Sequence, residues 1–371
     1  MPVIEQQLMV AVRSVRAFLN LQAGVMRSEA SPPPPPWLPR AEENGGVLEG
    51  ARRLLRSRNR KLTGSLGGAA ESDTGTGSRQ DGLVGLADDA TNGLGAQKSL
   101  RTEQLIWMFG HSRTGSTWLS WMMSELENQE RWHEPYVGML FGSFLFQRLK
   151  DNQVVLNNPS FIMAEPHREV WLRSIRNFIL EGAAARYPGL REDQYLVVKE
   201  PNGSIGAPLM MEATPGSRMI FLIRDPRDVV ASRLDAFKEG GWAIQDRDLS
   251  TTEKVNEQTE RLAKDYLKVV SMVQETYEAH QGRKALVRYE DLRHDTVNVL
   301  RAMYDALEVE ADRSQIEAAV TKHSWEKIPE TEKGKDKFFR KAQPGGWKDD
   351  LSQDQIRLIE DITGPLLSRY F

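Results

Sequence analysis

From residue 105 onward, short apolar runs alternate with longer stretches of helical period. "LIWMF" (105–109), "YLVVK" (195–199), "MIFLI" (219–223) and "ALVRY" (285–289) carry apolar side chains at nearly every position. Runs of this length and density read as strands buried on both faces, the condition of a parallel sheet. Between and beyond them the period predicts helices over Ser116–Gln129, Arg227–Glu239, Thr251–His280, Thr296–Leu307, Arg313–His323 and Ser352–Ser368. Strands alternating with helices predict an α/β fold: one parallel β-sheet flanked by helices on both faces, in three layers.

Residues 1–100 have a different texture. "SPPPPPW" (31–37) favours extended polyproline II, "ARRLLRSRNRK" (51–61) is a basic patch, and "TGSLGGAAESDTGTGS" (63–78) is rich in Gly, Ser and Thr. That composition holds too little apolar surface to offset the entropy of ordering, so 1–100 is expected to be a largely disordered extension and 101–371 the folded domain. Arg13, Arg16 and Arg27 among apolar positions would suit either a short tail helix or an organelle-targeting helix; the expected location is cytoplasmic.

Composition narrows the function. A net charge of −3 over 371 residues gives no global basic footprint for nucleic acid, so any anion site must be local. Cysteine is absent, which excludes disulfides, thiolate metal sites and cysteine nucleophiles. The six histidines (His111, His133, His167, His280, His294, His323) show no metal-site spacing, and no metal is expected. No apolar run approaches the ~18–20 residues of a membrane span.

A local anion site does follow the first strand. In "GHSRTGST" (110–117) the glycines and Ser116-Thr117 keep the spacing of the phosphate loop G-x-x-x-x-G-K-[ST], but Ser116 stands where its lysine belongs. Backbone N–H groups at a helix start bind an anion whatever the side chains are, so the cradle survives while the triphosphate grip is lost. Arg113 supplies a cation two residues before Gly115. In "FLIRDPRDVVASRLDAF" (221–237), Arg224 ends another strand and Ser232 lies eight residues on, in the next helix. Strand ends of a parallel sheet share one edge, which brings Arg224 to the same crevice. Arg224 and Arg227 could instead pair with Asp225 and Asp228 as a helix-start charge cluster.

These segments resemble the sulfotransferases that use 3′-phosphoadenosine 5′-phosphosulfate (PAPS). "RTGSTW" (113–118) is similar to their 5′-phosphosulfate loop, with Arg113, Thr114, Gly115, Ser116, Thr117 and Trp118 as cofactor-binding positions. "RDPRDVVAS" is similar to their 3′-phosphate motif R-x₇-S, through Arg224 and Ser232. "VRYEDL" places Tyr289, and "KHSW" places Ser324, where family members line the adenine side. "FFRKAQPGGWK" (338–348) resembles the C-terminal cofactor segment, adding Phe339, Arg340 and Lys341, although Ala342 replaces a glycine. The resemblance implies PAPS as sulfuryl donor, no Mg²⁺, and a role for Arg113 in neutralising charge at the phosphosulfate bridge. It spans roughly 103–371.

The acceptor must lose a proton as it attacks, so a general base is expected. Cytosolic members place a histidine in K-[ST]-H-x-P, but "VVKEPNG" (197–203) has Lys199-Glu200-Pro201 there. Glu134 in "RWHEPYVG" (131–138), 21 residues after Arg113, resembles the glutamate base of protein-tyrosine sulfotransferases. Glu134 is therefore the expected base, its pKa raised by partial desolvation, with Lys199 touching the bridging oxygen beside Arg113. Glu200 and His133 are the alternatives, and a surface ion pair of Glu134 with Arg131 is the non-catalytic reading. "WHEPYVGMLFGSFLF" and "GGWAIQDRD" (240–248) are candidate acceptor walls. The acceptor, a small molecule, carbohydrate, lipid or peptide, and the oligomeric state stay open. So do two other functions, a P-loop kinase and a non-catalytic nucleotide-binding module.

Overall fold

The computed structural model describes residues 100–148, 152–237, 249–332, 334 and 343–371. The polyproline, basic and Gly/Ser-rich segments, the 240–248 stretch and Phe339, Arg340 and Lys341 lie outside the described residues. Five strands form one parallel sheet: β1 (Leu105–Gly110), β2 (Gln129–His133), β3 (Tyr195–Lys199), β4 (Arg218–Ile223) and β5 (Lys284–Arg288), in the order β2-β3-β1-β4-β5. The α-helices of six or more described residues are α1 (Ser116–Met123), α2 (Val137–Ser143), α3 (Arg168–Arg186), α4 (Ala207–Ala213), α5 (Pro226–Ala236), α6 (Thr252–Ala279), α7 (Tyr289–His294), α8 (Thr296–Leu307), α9 (Arg313–Lys322) and α10 (Gln353–Tyr370).

The alternation of the pleat divides the core. Leu105, Trp107, Phe109, Val198, Met219 and Phe221 pack on one face with α3, α4 and α6. Ile106, Met108, Val197, Ile220, Leu222 and Val287 pack on the other with α1 and α8. Every residue of β1 and β4 is buried, and each fully enclosed large apolar side chain contributes about 1.5–3 kcal/mol. A third cluster joins α5, α6 and α10 through Val230, Leu262 and Ile359. The three-layer α/β/α arrangement expected from the sequence is present.

Local chemistry sets the boundaries. In α8, Leu300, Met303, Tyr304 and Leu307 are buried at i, i+3, i+4 and i+7. Asp225 caps α5 by accepting from Arg227 N–H at 2.8 Å, with Pro226 at the first helical position. Ser352 and Gln355 form a reciprocal capping box on α10.

Several elements differ from the sequence reading, which predicts no helix at α2, α3, α4 or α7. The helix predicted over 116–129 stops at Met123, and the chain re-enters the sheet as β2. β2 is an edge strand, "QERWH", whose one large apolar residue, Trp132, packs on the core, so no apolar run announces it. Tyr289, read as the end of the fourth strand, begins α7 instead. Among the described residues no helix is long and apolar enough to cross a membrane.

Candidate active site

The chain leaves β1, visits the β2 edge, returns as β3 beside β1, and then crosses to β4 on the other side. That reversal opens a crevice at the C-terminal ends of the strands, where α/β proteins bind ligands. The loop from Gly110 to Gly115 lies there and runs straight into α1. Arg113 (φ 71°) and Gly115 (φ 89°) both adopt left-handed backbone, a conformation in which successive N–H groups can converge on an anion. Gly115 has no alternative: a Cβ there would fall 2.5 Å from Tyr289 Cδ2. Thr114 is fully buried and its hydroxyl donates to the His111 carbonyl at 2.7 Å. Ser116 and Thr117 form the first turn of α1, whose amides lack intrahelical partners.

The second motif meets the first directly. Arg113 Nε donates to Ser232 Oγ at 3.0 Å, and Arg224 Nη1 donates to the Arg113 carbonyl at 3.1 Å. Arg224 lies 4.3 Å above the Tyr289 ring, with its Nη2 3.6 Å from Asp228. The charge cluster allowed by the sequence is also real, since Arg227 pairs with Asp225 at 2.7 Å. Arg224 Nε is nevertheless buried with no hydrogen-bond partner among the described residues, and a buried guanidinium N–H left over in this way suits an anionic ligand. Trp118 packs edge-on to Tyr289, ring centroids 6.4 Å apart, and its Nε1 donates to the His323 carbonyl at 2.8 Å, next to Ser324. The described end of the C-terminal segment docks here too: Gly345 and Trp347 N–H groups donate to Asp228 at 2.8 and 3.1 Å. Trp118, Tyr289, Ser324, Arg224, Ser232 and the loop are thus brought together.

The carboxylates sit at the ends of β2 and β3. Glu134 N–H donates to the Lys199 carbonyl at 2.9 Å, extending the ladder by one residue. Glu134 (φ 46°) and Tyr136 (φ 59°) then take left-handed backbone on either side of Pro135, a strained turn of the kind found where a side chain must be aimed. Lys199 Nζ donates to Glu134 Oε1, and Asn202 Nδ2 to Oε2 at 2.7 Å. Tyr136 also donates its hydroxyl to Oε2, at 3.2 Å. Lys199, not Arg131, is therefore the ion-pair partner.

This pairing corrects the expected pKa. Burial pushes the Glu134 carboxyl up, but the Lys199 charge and hydrogen bond outweigh it and hold the group below the ordinary glutamate value. Desolvation in turn pulls the Lys199 ammonium down, partly offset by Glu134. His133 is lowered by desolvation first and by the Lys199 charge next, so its ring is neutral at pH 7.

Glu200 occupies a different position. It is fully enclosed, and its carboxylate accepts from the N–H groups of Tyr136 and Gly138, both at 3.1 Å. Burial raises it to about 7, against the lowering effect of those two bonds. Its oxygens hold the start of α2, which rests on the 201–206 turn through glycines. A Cβ on Gly138 would fall 2.2 Å from the Gly203 carbonyl oxygen, and one on Gly142 2.4 Å from Gly206 Cα.

Sequence reasoning missed several groups. Asn202 and Tyr136 hold Glu134, yet neither type nor spacing marks them. His111 Nε2 lies 3.3 Å from Asp265, which also accepts from Arg233 at 2.7 Å. Burial pushes the Asp265 carboxyl up, but hydrogen bonds from His111 and Arg233 outweigh it and hold it well below the usual range. This triad ties the anion loop to α5 and α6. Among the described residues no cluster of three His, Asp or Glu is arranged to hold a metal.

A doubly covered parallel sheet with a lysine-free phosphate loop at its switch point defines a P-loop-type α/β protein. The chain belongs to the sulfotransferase family, whose model matches residues 106–313, and is accordingly a transferase of sulfuryl groups. No curated protein sequence matches it. Similar solved structures include mouse sulfotransferase SULT7A1 complexed with PAP, at 14% identity over 74% of this chain and 90% of that one, with a TM-score of 0.46. Sulfotransferase STF9 from Mycobacterium avium is 15% identical over 73% and 78%, TM-score 0.43. Retinol dehydratase in complex with retinol and PAP is 17% identical over 72% and 81%, TM-score 0.43.

Proposed function

We propose that the chain transfers the sulfuryl group of PAPS to a hydroxyl or amine acceptor without a metal ion. The observation that carries this reading is the 3.0 Å bond between Arg113 and Ser232. Residues 119 positions apart, one from each anion motif, converge beside a cradle that lacks a β/γ-phosphate lysine. A kinase would need that lysine and Mg²⁺.

In this reading the backbone of 113–117 holds the 5′-phosphosulfate, and Arg224, Ser232, Arg340 and Lys341 hold the 3′-phosphate. Trp118, Tyr289, Ser324 and Phe339 enclose the adenine. The bond from sulfur to the phosphosulfate bridging oxygen breaks as a bond from sulfur to the acceptor oxygen or nitrogen forms, leaving 3′-phosphoadenosine 5′-phosphate (PAP). Arg113 and Lys199 offset charge developing on the bridging oxygen, a role of positioning and electrostatics. For this, Lys199 must leave Glu134. Losing its cation beside an anionic donor raises the Glu134 carboxyl, so the group becomes a better base when the donor is in place. The acceptor proton then goes to Glu134. Glu200 is the poorer base, because both its oxygens are already engaged on α2.

Calorimetric titration tests the nucleotide assignment. PAP should bind far more tightly than AMP, and Arg224→Ala should weaken PAP at least tenfold while barely affecting AMP, because a charge-assisted hydrogen bond is worth ~1.5–3 kcal/mol. Equal affinities for PAP and AMP in the unaltered protein would refute it.

A further inference from the structure

Ten large hydrophobic side chains are exposed among the described residues, and eight of them fall between residues 136 and 178. They are concentrated, and part of them forms a line. Tyr136 at the left-handed cap of α2, Leu140 within it and Phe144 just past its end recur every four residues, 46%, 61% and 48% exposed. The Leu140 N–H bonds the Tyr136 carbonyl at 2.8 Å, so the turn between them is continuous. Met139, 42% exposed, flanks the line, and Phe144 continues it to Phe161, ring centroids 6.1 Å apart. At 1.5 Å per residue the stripe from 136 to 144 is about 12 Å long. An exposed apolar stripe of this kind marks an interaction surface.

One end of it is polar. Tyr136 lies two residues past Glu134 and bonds its carboxylate at 3.2 Å. From 136 to 144 the sequence is YVGMLFGSF, in which only the Tyr136 and Ser143 hydroxyls can hydrogen-bond and no side chain is charged. A sugar would find almost no partners along this wall, and an acidic peptide no cation.

We infer that the acceptor carries its hydroxyl or amine on an apolar body, an alkyl chain or lipophilic ring, which lies along Tyr136, Leu140 and Phe144 with the nucleophile at Glu134. This rests on the sulfuryl-transfer reading above and names the acceptor class of the same site.

The test uses the full chain, labelled PAPS and straight-chain alcohols from butanol to octanol, with glucose and a tyrosine-containing acidic peptide as comparison acceptors. Each added methylene should raise kcat/KM about threefold to fourfold, as burial of a CH₂ predicts. Octanol should exceed glucose and the peptide by at least tenfold. Leu140→Asn, at an exposed position, should flatten the chain-length dependence while PAP affinity stays unchanged. Transfer independent of chain length, preference for glucose or the peptide, or no transfer to any alcohol overturns the inference. So does a Leu140→Asn variant that keeps the chain-length slope and instead changes the sedimentation coefficient, which would give the stripe to a second copy of the chain. If PAP itself does not bind, the sulfuryl-transfer reading fails as well, and the two failures are thereby told apart.

Discussion

Replacing Glu200 by Gln removes a charge from a fully buried carboxylate of the crevice. In the folded protein this carboxyl titrates near 7 rather than at its ordinary 4.5, chiefly through burial. The folded state therefore binds more protons than the unfolded one across that interval. The contribution is fully present below pH 4.5 and is lost as pH rises through about 7. At 1.36 kcal/mol per pH unit the loss approaches about 3 kcal/mol by pH 8. The introduced amide would have one oxygen for two N–H groups and would turn its own NH₂ toward the second. An unsatisfied buried N–H costs about 1–3 kcal/mol. Glu200→Gln should therefore be less stable than the parent by about 1–3 kcal/mol at about pH 4 and equal to it, or more stable by up to about 2 kcal/mol, at about pH 8. Urea unfolding of both proteins across this range measures the difference. A difference that does not change with pH would refute the reasoning. Unchanged stability with transfer reduced a hundredfold or more would instead make Glu200 the base.

Glu134→Gln should lower turnover ~10²–10⁴-fold with PAP affinity nearly unchanged; near-normal transfer measured with labelled PAPS would exclude Glu134 as base. Gly115→Ala would place a methyl 2.5 Å from the Tyr289 ring at φ 89°, so PAP binding by calorimetry should fall at least tenfold, and an unaltered affinity would mean the ring does not bound the nucleotide site. A chain beginning at Ser99 should bind PAP as the full chain does; a folded chain that binds none would place part of the site within residues 1–98.

The four apolar strands were legible from their hydrophobic runs, unbroken in β1 and β4 because both faces are buried, and α1, α5, α6, α8, α9 and α10 were legible from their helical period. β2 was not, because an edge strand half open to solvent tolerates Gln, Glu, Arg and His. α3 escaped for a related reason: its buried face, Trp171, Leu172, Ile175, Ile179 and Ala183, is diluted by polar residues. At the site, loop spacing pointed to Arg113, Arg224 and Ser232, whose convergence follows from the shared strand edge. The state of Glu134 was not legible. It depends on Lys199, 65 residues away, and on which strand neighbours which. Glu200 was misleading in the opposite sense: its place after Lys199 resembles that of a base, while its environment makes it a brace for α2.

The glycine contact beneath α2 separates two kinds of mutational freedom. Because backbone meets backbone at Gly138–Gly203 and Gly142–Gly206, there is no side chain at those two crossings whose exchange could slide or tilt the helix gradually, although Val137 and Phe141 pack on the core beside them. Any added carbon there displaces the whole helix and Glu134's turn with it, whereas the outer face offers Met139, Leu140 and Phe144 to substitution, Tyr136 being tied to Glu134. A laboratory library confined to those outer positions should therefore diversify what the chain accepts while keeping the chemistry in register. A library that reaches the glycines should lose both at once.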